Sequence, residues 1–357
     1  MTIAVGLSGG VDSAVALALL KEQGHTVHGI TMKIWPEGDH YKGGKADACF
    51  GPHERDDIRT AAALCEQLSV PYHVFDCSDA YEKIVVDYFR KEYLSGRTPN
   101  PCIRCNSLMK FGVLLSMARQ SGVVFDYFAT GHYARITHEN DRWCLHKGAD
   151  LFKDQSYFLY RLSQHQLESV LFPLGTLTKH EVRAYAQRLK LGVAQKKDSQ
   201  DFYSGDYREL LHVEETPGPI VDRNGNTLGT HTGHWNFTIG QRKGLHLSGL
   251  KTPRYVVAIN ACRNEVVVDE NEATLNHYVR LAACNWVSKT PEKHTQLVDV
   301  KLRSAARPTR AELTLSQDMQ TVDLNFPTGT RAATLGQSAV LYEGDLLIGG
   351  GVIEAIA

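Results

Sequence analysis

The 357-residue chain lacks the features that mark secreted, membrane and fibrous proteins. No apolar run approaches the roughly 18 residues of a membrane span, and the first residues lack the cationic segment of a signal peptide. The 8 cysteines are too few for a disulfide scaffold of this length. A net charge of −1 excludes a protein that coats nucleic acid non-specifically. We therefore expect a cytoplasmic globular protein with no membrane partner, in which any polyanion binds a local patch.

Two common nucleotide-binding loops are also absent. The chain has neither the G-K-[ST] of a Walker loop nor the G-x-G-x-x-G of a dinucleotide fold. Instead, SGGVDS occupies residues 8–13, between a predicted strand and a predicted helix. Glycines let backbone N–H groups approach an anion, and the helix N-terminus adds partial positive charge. The pattern predicts a phosphate-binding loop with Mg²⁺ held indirectly through Asp12, and a simple Gly-rich turn is the alternative.

Strand and helix patterns alternate through the first half of the chain. Strands are predicted at 3–7, 27–33, 72–76 and 127–130, and helices at 12–23, 54–68, 80–94, 108–120, 164–171 and 179–189. This alternation predicts an α/β fold with a doubly wound parallel sheet. After about residue 210, turn-rich stretches separate short β-branched runs, which indicates two small β-rich units. We expect domains at 1–210, 211–275 and 276–357.

Four further motifs accompany the phosphate loop. They are RTPNPCIRCN at 97–106, ATGHY at 129–133, KDQSYFL at 153–159 and GQRKG at 240–244. SGGVDS resembles the PP-loop of ATP pyrophosphatases, and the whole set resembles the tRNA-specific 2-thiouridylase family along essentially the whole chain. The resemblance implies a PP-loop domain followed by two β domains, the last a β-barrel. It also implies an enzyme that adenylates uridine O2 at the anticodon wobble position with ATP and then transfers sulfur to C2.

The resemblance assigns site residues as well. The positions implied to bind ATP are Gly6, Leu7, Ser8, Gly9, Gly10, Val11, Asp12, Ser13, Met32 and Gly131. Those implied to contact the anticodon arm of tRNA are Asn100, Pro101, Cys102, His132, Lys153, Asp154, Gln155, Arg303, Ser304 and Gln337. Without the resemblance, His132 is a loop histidine and 153–155 is a charged turn. A second basic stretch, at 179–197, is interpreted as a solvated helix face or a grip on the anticodon arm.

Cys102 and Cys105 form a C-x-x-C that we place in a loop before a helix. The helix N-terminus and the neighbouring Arg97, Arg104 and Lys110 predict a lowered thiol pKa. The basic residues between 87 and 119 predict a patch that guides a phosphate backbone to the thiols. Half of a structural zinc site is the alternative, but no second C-x-x-C or C-x-x-H follows. The resemblance makes Cys105 the reactive thiol and places Cys102 where the family often has Asp.

The family's second cysteine, which follows an Asp-Ser-Gln, is missing. The chain has Asp198, Ser199 and Gln200 but no cysteine after them. Two alternatives for the sulfur remain open. Cys102 and Cys105 cycle through persulfide and disulfide, or Cys49, from a loop after the second strand, joins them as a relay partner or as a ligand of a [4Fe–4S] cluster. A sulfur donor protein, or another persulfide or sulfide source, is implied in both.

Two other functions are also weighed. Another PP-loop ATP pyrophosphatase, such as an amide-forming or small-molecule ligase, needs ATP but neither cysteines nor RNA. A non-catalytic tRNA-binding protein tolerates the loss of SGGVDS. The NPCIRCN motif argues against both. The other cysteines are predicted to be structural core residues, namely Cys65, Cys77, Cys144, Cys262 and Cys284.

Overall fold

The computed structural model describes residues 1–38, 41–44, 48–194, 196, 202–291, 296–331 and 333–357. The strands are β1 Thr2–Gly6, β2 Thr26–Lys33, β3 Tyr72–Asp76, β4 Tyr127–Ala129, β5 Ala134–Glu139, β6 Arg142–Lys147, β7 Val170–Leu171, β8 Gly218–Val221, β9 Thr227–His231, β10 Tyr255–Asn260, β11 Glu265–Asp269, β12 Asn276–Trp286, β13 Gln296–Lys301, β14 Thr309–Leu315, β15 Val322–Thr330, β16 Ser338–Glu343 and β17 Leu346–Ile356.

The helices lie mostly in the first 211 residues. They are α1 Val11–Glu22, α2 Glu54–Gln67, α3 Ser78–Tyr81, α4 Asp87–Leu94, α5 Pro101–Arg104, α6 Leu114–Gln120, α7 Gln164–Glu168, α8 Lys179–Arg188 and α9 Tyr207–Leu211. Two π-helical segments, Glu82–Val86 and Cys105–Val113, join α3 to α4 and α5 to α6. No helix in the described ranges is long and apolar enough to cross a membrane.

The first sheet has five parallel strands in the order β3-β2-β1-β4-β7. Its central strand β1 is covered by helices on both faces of the sheet, and Ile3, Ala4 and Val5 are therefore inaccessible to solvent. This order confirms the predicted doubly wound α/β fold. One element is corrected: the helix predicted at 164–171 ends at Glu168, and Val170–Leu171 forms β7 beside β4.

The helix predicted at 108–120 begins earlier, at Pro101. The Asn100 side chain accepts a hydrogen bond from the Ile103 N–H at 3.4 Å, and proline occupies the first helical position. Both features are favoured at a helix start, since the cap pairs one N–H that has no partner within the helix and proline has no N–H to pair. The prediction that the C-x-x-C lies in a loop is therefore wrong, because Cys102 and Cys105 lie in the first turns of this helix.

The remaining strands form two further sheets. β10, β11, β8 and β9 make a four-stranded sheet. The strands β12-β15-β14-β13-β16-β17 close on themselves through the β12–β17 pairing, which confirms the predicted β-barrel. The hairpin of β5 and β6, which precedes all of these in the chain, continues the barrel sheet beyond β17. The domain boundaries stay a prediction, since this hairpin ties the first unit to the last.

Candidate active site

The phosphate loop lies between the end of β1 and the start of α1. Leu7 is buried, and its N–H donates to the Ile30 carbonyl at 2.8 Å, which fixes the entry to the loop. The Ser8 N–H donates to the Ser13 hydroxyl at 3.2 Å. Gly9 has a φ of +67°, and a Cβ there would lie 2.8 Å from the backbone of Asp57. Only glycine therefore allows this tight loop conformation.

Asp12, in the first turn of α1, is already paired. Its carboxylate accepts a hydrogen bond from the Tyr133 hydroxyl at 2.8 Å and from the Lys179 ammonium at 2.8 Å. Lys179 is the first residue of α8, whose start is fixed by a capping box between Thr178 and Glu181. The carboxylate that the sequence predicts as an indirect magnesium ligand is therefore already hydrogen-bonded to two side chains.

A second ammonium flanks the same loop. Lys196 donates to the Gly9 carbonyl at 3.2 Å and is ion-paired with Asp57. The basic stretch at 179–197 is thus not a wholly solvated face, since Lys179 is only 9% exposed and turns toward the loop. Sequence reasoning missed this role because a lysine at a helix start has no pattern that distinguishes it from a solvated one.

Gly131 packs directly against the phosphate loop. A Cβ at this position would lie 2.7 Å from the backbone of Asp12 and Ser13, so the turn after β4 and the start of α1 touch. Met32 lies near the end of β2, the neighbour of β1 in the sheet, and is half-buried. The structure therefore brings the residues at 6–13 and Gly131 together, with Met32 at the same sheet edge.

Three thiols of unequal accessibility meet beside this edge. Cys49 is exposed, Cys102 is half-buried and Cys105 is buried. The Cys102 thiol hydrogen-bonds to Cys49, and this bond together with the Lys110 ammonium lowers the pKa of Cys49 to about 7. Burial raises the pKa of Cys105 to about 11, and the neighbouring Cys49 raises that of Cys102. The predicted lowering of the thiol pKa is therefore wrong for both Cys102 and Cys105, and the thiol whose pKa is lowered is that of Cys49.

Lys110 connects the thiols to the phosphate loop. Its charge acts on Cys49, Cys102 and Cys105 and also on His132, which follows Gly131 in the chain. Burial and this charge lower the pKa of His132 to about 3, and its Nδ1 lies 2.7 Å from the Thr130 hydroxyl. The imidazole is therefore neutral at pH 7, suited to hydrogen bonding and not to proton donation.

The predicted iron–sulfur cluster stays a prediction. Within the described part of the chain, no group of three or more His, Cys, Asp or Glu side chains is arranged to hold a metal ion. The Asp-Ser-Gln motif at 198–200 lies outside the described residues.

Several side chains predicted to contact tRNA have partners within the protein. The Asp154 carboxylate accepts the N–H groups of Gly148 and Ser156 at 3.2 and 3.1 Å and is 3% exposed beside Lys301. The Gln155 side chain accepts the Tyr133 N–H at 3.1 Å. These two residues therefore shape the loop, and Lys153, before them, is half-buried.

The predicted contacts from the barrel are used in the same way. Arg303 donates to the Ile239 carbonyl at 3.1 Å, and the Gln337 amide donates to the Pro99 carbonyl at 3.3 Å. Ser304 is half-buried beside Arg303. Gln337 thus ties the barrel to the segment that carries Asn100 and Pro101, the start of the C-x-x-C helix.

A cleft of about 830 Å³ separates the C-x-x-C helix from the barrel. Its walls include Arg104, Arg119, Arg161 and His165 against Glu168, so it is predominantly basic. The predicted basic patch at 87–119 is divided, because Arg90 and Arg97 pair with nearby carboxylates while Arg104 and Arg119 face the cleft.

The other cysteines agree with the core prediction at four of five positions. Cys65, Cys77, Cys144 and Cys284 are buried, whereas Cys262 is exposed in the short turn Ala261–Arg263 after β10. The prediction for Cys262 is wrong because its apolar neighbours belong to the end of a strand and not to a buried run.

Three family models match consecutive parts of the chain. Residues 1–203 match a tRNA methyl transferase HUP domain, and residues 210–270 match a tRNA methyl transferase PRC-barrel domain. Residues 276–353 match an aminomethyltransferase β-barrel domain.

Curated relatives match the chain over nearly its full length. A tRNA-specific 2-thiouridylase MnmA of Endomicrobium trichonymphae is 46% identical over 99% of both chains. The MnmA 2 protein of Clostridium tetani is 42% identical over 99% of this chain and 98% of its own. The MnmA of Geotalea uraniireducens is 42% identical over 99% of this chain and 94% of its own. With a relative at this identity along the whole length, the chain belongs to the family of the tRNA-specific 2-thiouridylases.

Proposed function

We propose that this protein is a tRNA uridine 2-sulfurtransferase that makes 2-thiouridine at the anticodon wobble position. The observation that carries the proposal is that Gly131 packs against the SGGVDS loop, while the charge of Lys110 acts both on the three thiols and on His132, the residue after Gly131. A ligase that joins small molecules needs the loop but not the thiols, and an RNA-binding protein without catalysis needs neither.

The first half of the reaction uses ATP. Uridine O2 attacks the α-phosphate, and pyrophosphate leaves, so that a poor leaving oxygen becomes part of AMP. Backbone N–H groups of the loop and the ammonium groups of Lys179 and Lys196 stabilise the negative charge that develops on the phosphates. Because the Asp12 carboxylate is already paired with Lys179 and Tyr133, its surroundings do not fit a resident Mg²⁺.

The second half uses a cysteine sulfur. The uridine leaves its stack to reach the site, as enzymes acting on a base require. The neutral His132 is placed to hydrogen-bond the base, and a persulfide sulfur attacks C2 with loss of AMP. A donor that presents a persulfide supplies the sulfur, and we place the reaction in the cytoplasm. The [4Fe–4S] alternative has no support from the arrangement of the described residues.

The test is nucleoside mass spectrometry of tRNA incubated with the protein, ATP and a persulfide donor. We expect ATP-dependent 2-thiouridine, with one pyrophosphate released per adenylated tRNA. Asp12→Ala removes the carboxylate that holds the Lys179 ammonium at the loop, so pyrophosphate release should be abolished. The protein should remain folded, since the Asp12 side chain is partly exposed. Thiolation that persists in this variant contradicts the role of the loop. A methylated nucleoside in place of 2-thiouridine contradicts the proposed reaction.

A further inference from the structure

We propose that Cys49 and Cys102 form the sulfur-transfer pair, with Cys49 carrying the persulfide and Cys102 releasing the product. This inference rests on the proposed function and names the residue that replaces the cysteine absent after Gln200. It also differs from the sequence prediction, in which Cys105 carries the sulfur.

The two thiols are placed for exchange. The Cys102 thiol hydrogen-bonds to Cys49, and the Cys49 Sγ also lies 3.8 Å from the Phe202 carbonyl oxygen. Cys49 is held in place by the next residue, because the Phe50 N–H donates to the Phe202 carbonyl at 3.0 Å and the ring is 1% exposed. The Cys49 loop therefore has a fixed geometry toward the C-x-x-C helix.

Accessibility separates the roles of the three cysteines. Cys49 is exposed, so a persulfide on a donor can reach it, and its lowered pKa supplies the thiolate that sulfur transfer needs. Cys105 is buried, and its thiol interacts with the fully buried Tyr81. A donor cannot approach Cys105 without a rearrangement of this core.

The chemistry balances with these two residues. The Cys49 thiolate attacks the sulfane sulfur of a donor persulfide, the donor S–S bond breaks, and the donor leaves as a thiolate. The Cys49 persulfide then attacks C2 of the adenylated uridine, the C2–O bond breaks, and AMP leaves. The Cys102 thiolate attacks Cys49 Sγ, which breaks the bond to the uridine sulfur and forms a Cys49–Cys102 disulfide.

Electrons and protons are accounted for in the same sequence. Two thiols are oxidised to a disulfide while the sulfane sulfur is reduced to the thione level. The proton lost from Cys102 is matched by the proton that N3 of the 2-thiouridine takes up. An external dithiol reductant then restores both thiols for the next turnover.

Four serine variants test the assignment: Cys49→Ser, Cys102→Ser, Cys105→Ser and, as an exposed control, Cys262→Ser. A small-molecule persulfide is the probe, and intact-protein and peptide mass spectrometry locate the added sulfur. We expect Cys49→Ser to lose sulfur loading and thiolation. Cys102→Ser should load sulfur but accumulate a mixed disulfide between Cys49 and tRNA. Cys105→Ser should still load sulfur at Cys49, and Cys262→Ser should match the parent.

Pyrophosphate release separates this inference from the proposed function. tRNA-dependent release should persist in Cys49→Ser, which also shows that the variant is folded. If the parent releases none, the proposed function is wrong. If the parent releases pyrophosphate and Cys49→Ser thiolates like it, or if sulfur loads on Cys105 in the parent, the assigned pair is wrong.

A separate observation concerns the loop at 148–155. We infer that Phe152 stacks on a nucleobase of the bound RNA at the rim of the active site. Phe152 is 101% exposed and its neighbour Leu151 is 66% exposed. A fully exposed aromatic ring contributes nothing to the core, and water disfavours two adjacent apolar side chains at a loop tip.

The loop is fixed beside the phosphate loop. Asp150 accepts the Phe152 N–H at 3.1 Å with one carboxylate oxygen and the Lys179 N–H at 3.0 Å with the other. The Lys179 ammonium in turn donates to Asp12, so Asp150 and Lys179 link the backbone of Phe152 to the phosphate loop through hydrogen bonds. The buried Asp154 fixes the other side of the loop.

An exposed aromatic ring on an ordered loop can stack on a base of a bound RNA. Every base offers a face for stacking, so an exposed aromatic binds an unstacked nucleotide whatever its sequence. Lys153, adjacent in the chain, adds a positive charge beside Phe152, which favours a phosphate backbone there. Because the backbone of the loop is already held through Asp150, binding orders little more than the Phe152 side chain.

The test compares Phe152→Ala, Phe152→Trp and a control, Val124→Ala. Val124 is 77% exposed before β4, at the opposite end of the first sheet. We expect Phe152→Ala to weaken tRNA binding about 10-fold or more and to raise KM for tRNA at unchanged kcat, whereas Phe152→Trp restores affinity. The control should bind like the parent.

Three outcomes would overturn the stacking role. These are unchanged tRNA affinity in Phe152→Ala, an equal loss in Val124→Ala, or a change in oligomeric state without a change in affinity. If the parent itself does not bind tRNA, the proposed function fails first.

Discussion

Burial decides the properties of individual side chains more than sequence position does. A C-x-x-C beside basic residues predicts an acidic thiol, yet the Cys105 pKa rises to about 11 because the folded chain removes it from water. The sulfur with a lowered pKa is Cys49, about fifty residues earlier, which the fold brings to Cys102. The motif identifies the right neighbourhood, but only the fold shows which of the three cysteines is exposed.

His132 gives a testable pH dependence of stability. Its pKa is about 3 in the folded protein, against 6.5 for the free side chain. Between these values the unfolded chain binds a proton that the folded chain does not, so stability falls as pH drops below 6.5. The slope reaches about 1.4 kcal/mol per pH unit for one proton.

The measurement compares the parent with His132→Asn in urea unfolding at pH 5 and pH 7.5. The parent should lose more stability than the variant on acidification. Glu54, whose pKa is raised to about 7 by burial, acts in the opposite direction in both proteins and cancels in the comparison. Equal losses in the two proteins show that His132 does not carry this proton.

Lys196 provides a test of the nucleotide loop. Its ammonium donates to the Gly9 carbonyl and pairs with Asp57, so it places positive charge where the phosphates of ATP bind. Lys196→Gln should raise KM for ATP roughly tenfold, the effect of one charged hydrogen bond. Lys190→Gln, an exposed lysine after α8, should leave it unchanged. Steady-state pyrophosphate release measures both, and equal KM values would exclude the role of Lys196.

Secondary structure elements show where local patterns suffice. β1 and β2 were predictable within about a residue because their β-branched residues lie in the interior of a parallel sheet. The start of the C-x-x-C helix was not, because the pattern of apolar residues begins only at Leu108. The Asn100–Pro101 pair is the local signal that identifies it.

The cap at Asn100 links helix stability to sulfur transfer. Asn100→Ala removes the acceptor for the Ile103 N–H and should cost about 1 kcal/mol of unfolding free energy. It should also reduce sulfur loading, because the freed first turn carries Cys102. Asp206→Ala, which removes the cap of α9, is the matched control and should destabilise without changing loading. Chemical denaturation and persulfide labelling measure the two effects, and equal loading in all three proteins would separate the helix start from the chemistry.

The assembly of the whole molecule was the least predictable from sequence. The β5–β6 hairpin follows β4 of the first sheet, but its β6 pairs with β17, more than 190 residues later. Alternation of apolar residues predicts a strand and not its partner, since the pairing depends on which sheet edge lies nearby after folding. The motifs at 97–106 and 153–159 also hold the first unit to the barrel, which their sequence does not predict. The Thr98 N–H donates to the Leu335 carbonyl and the Tyr157 hydroxyl to the Ser338 carbonyl.

The junction predicts that the first unit and the barrel unfold together. The buried Tyr157 hydroxyl donates to the Ser338 carbonyl at 2.8 Å, and Tyr160 bonds the Ser338 hydroxyl at 3.0 Å. Tyr157→Phe leaves that carbonyl without this donor and should cost about 1–3 kcal/mol. Because Tyr157 packs in one core cluster with residues of both sheets, among them Phe128 and Tyr342, the loss should appear in both units. Native-state hydrogen exchange should show faster exchange in β1 and in β16 alike. Tyr255→Phe, in β10 of the separate four-stranded sheet, is the control and should leave both unchanged. Faster exchange confined to β16 would show that the barrel opens independently of the catalytic sheet.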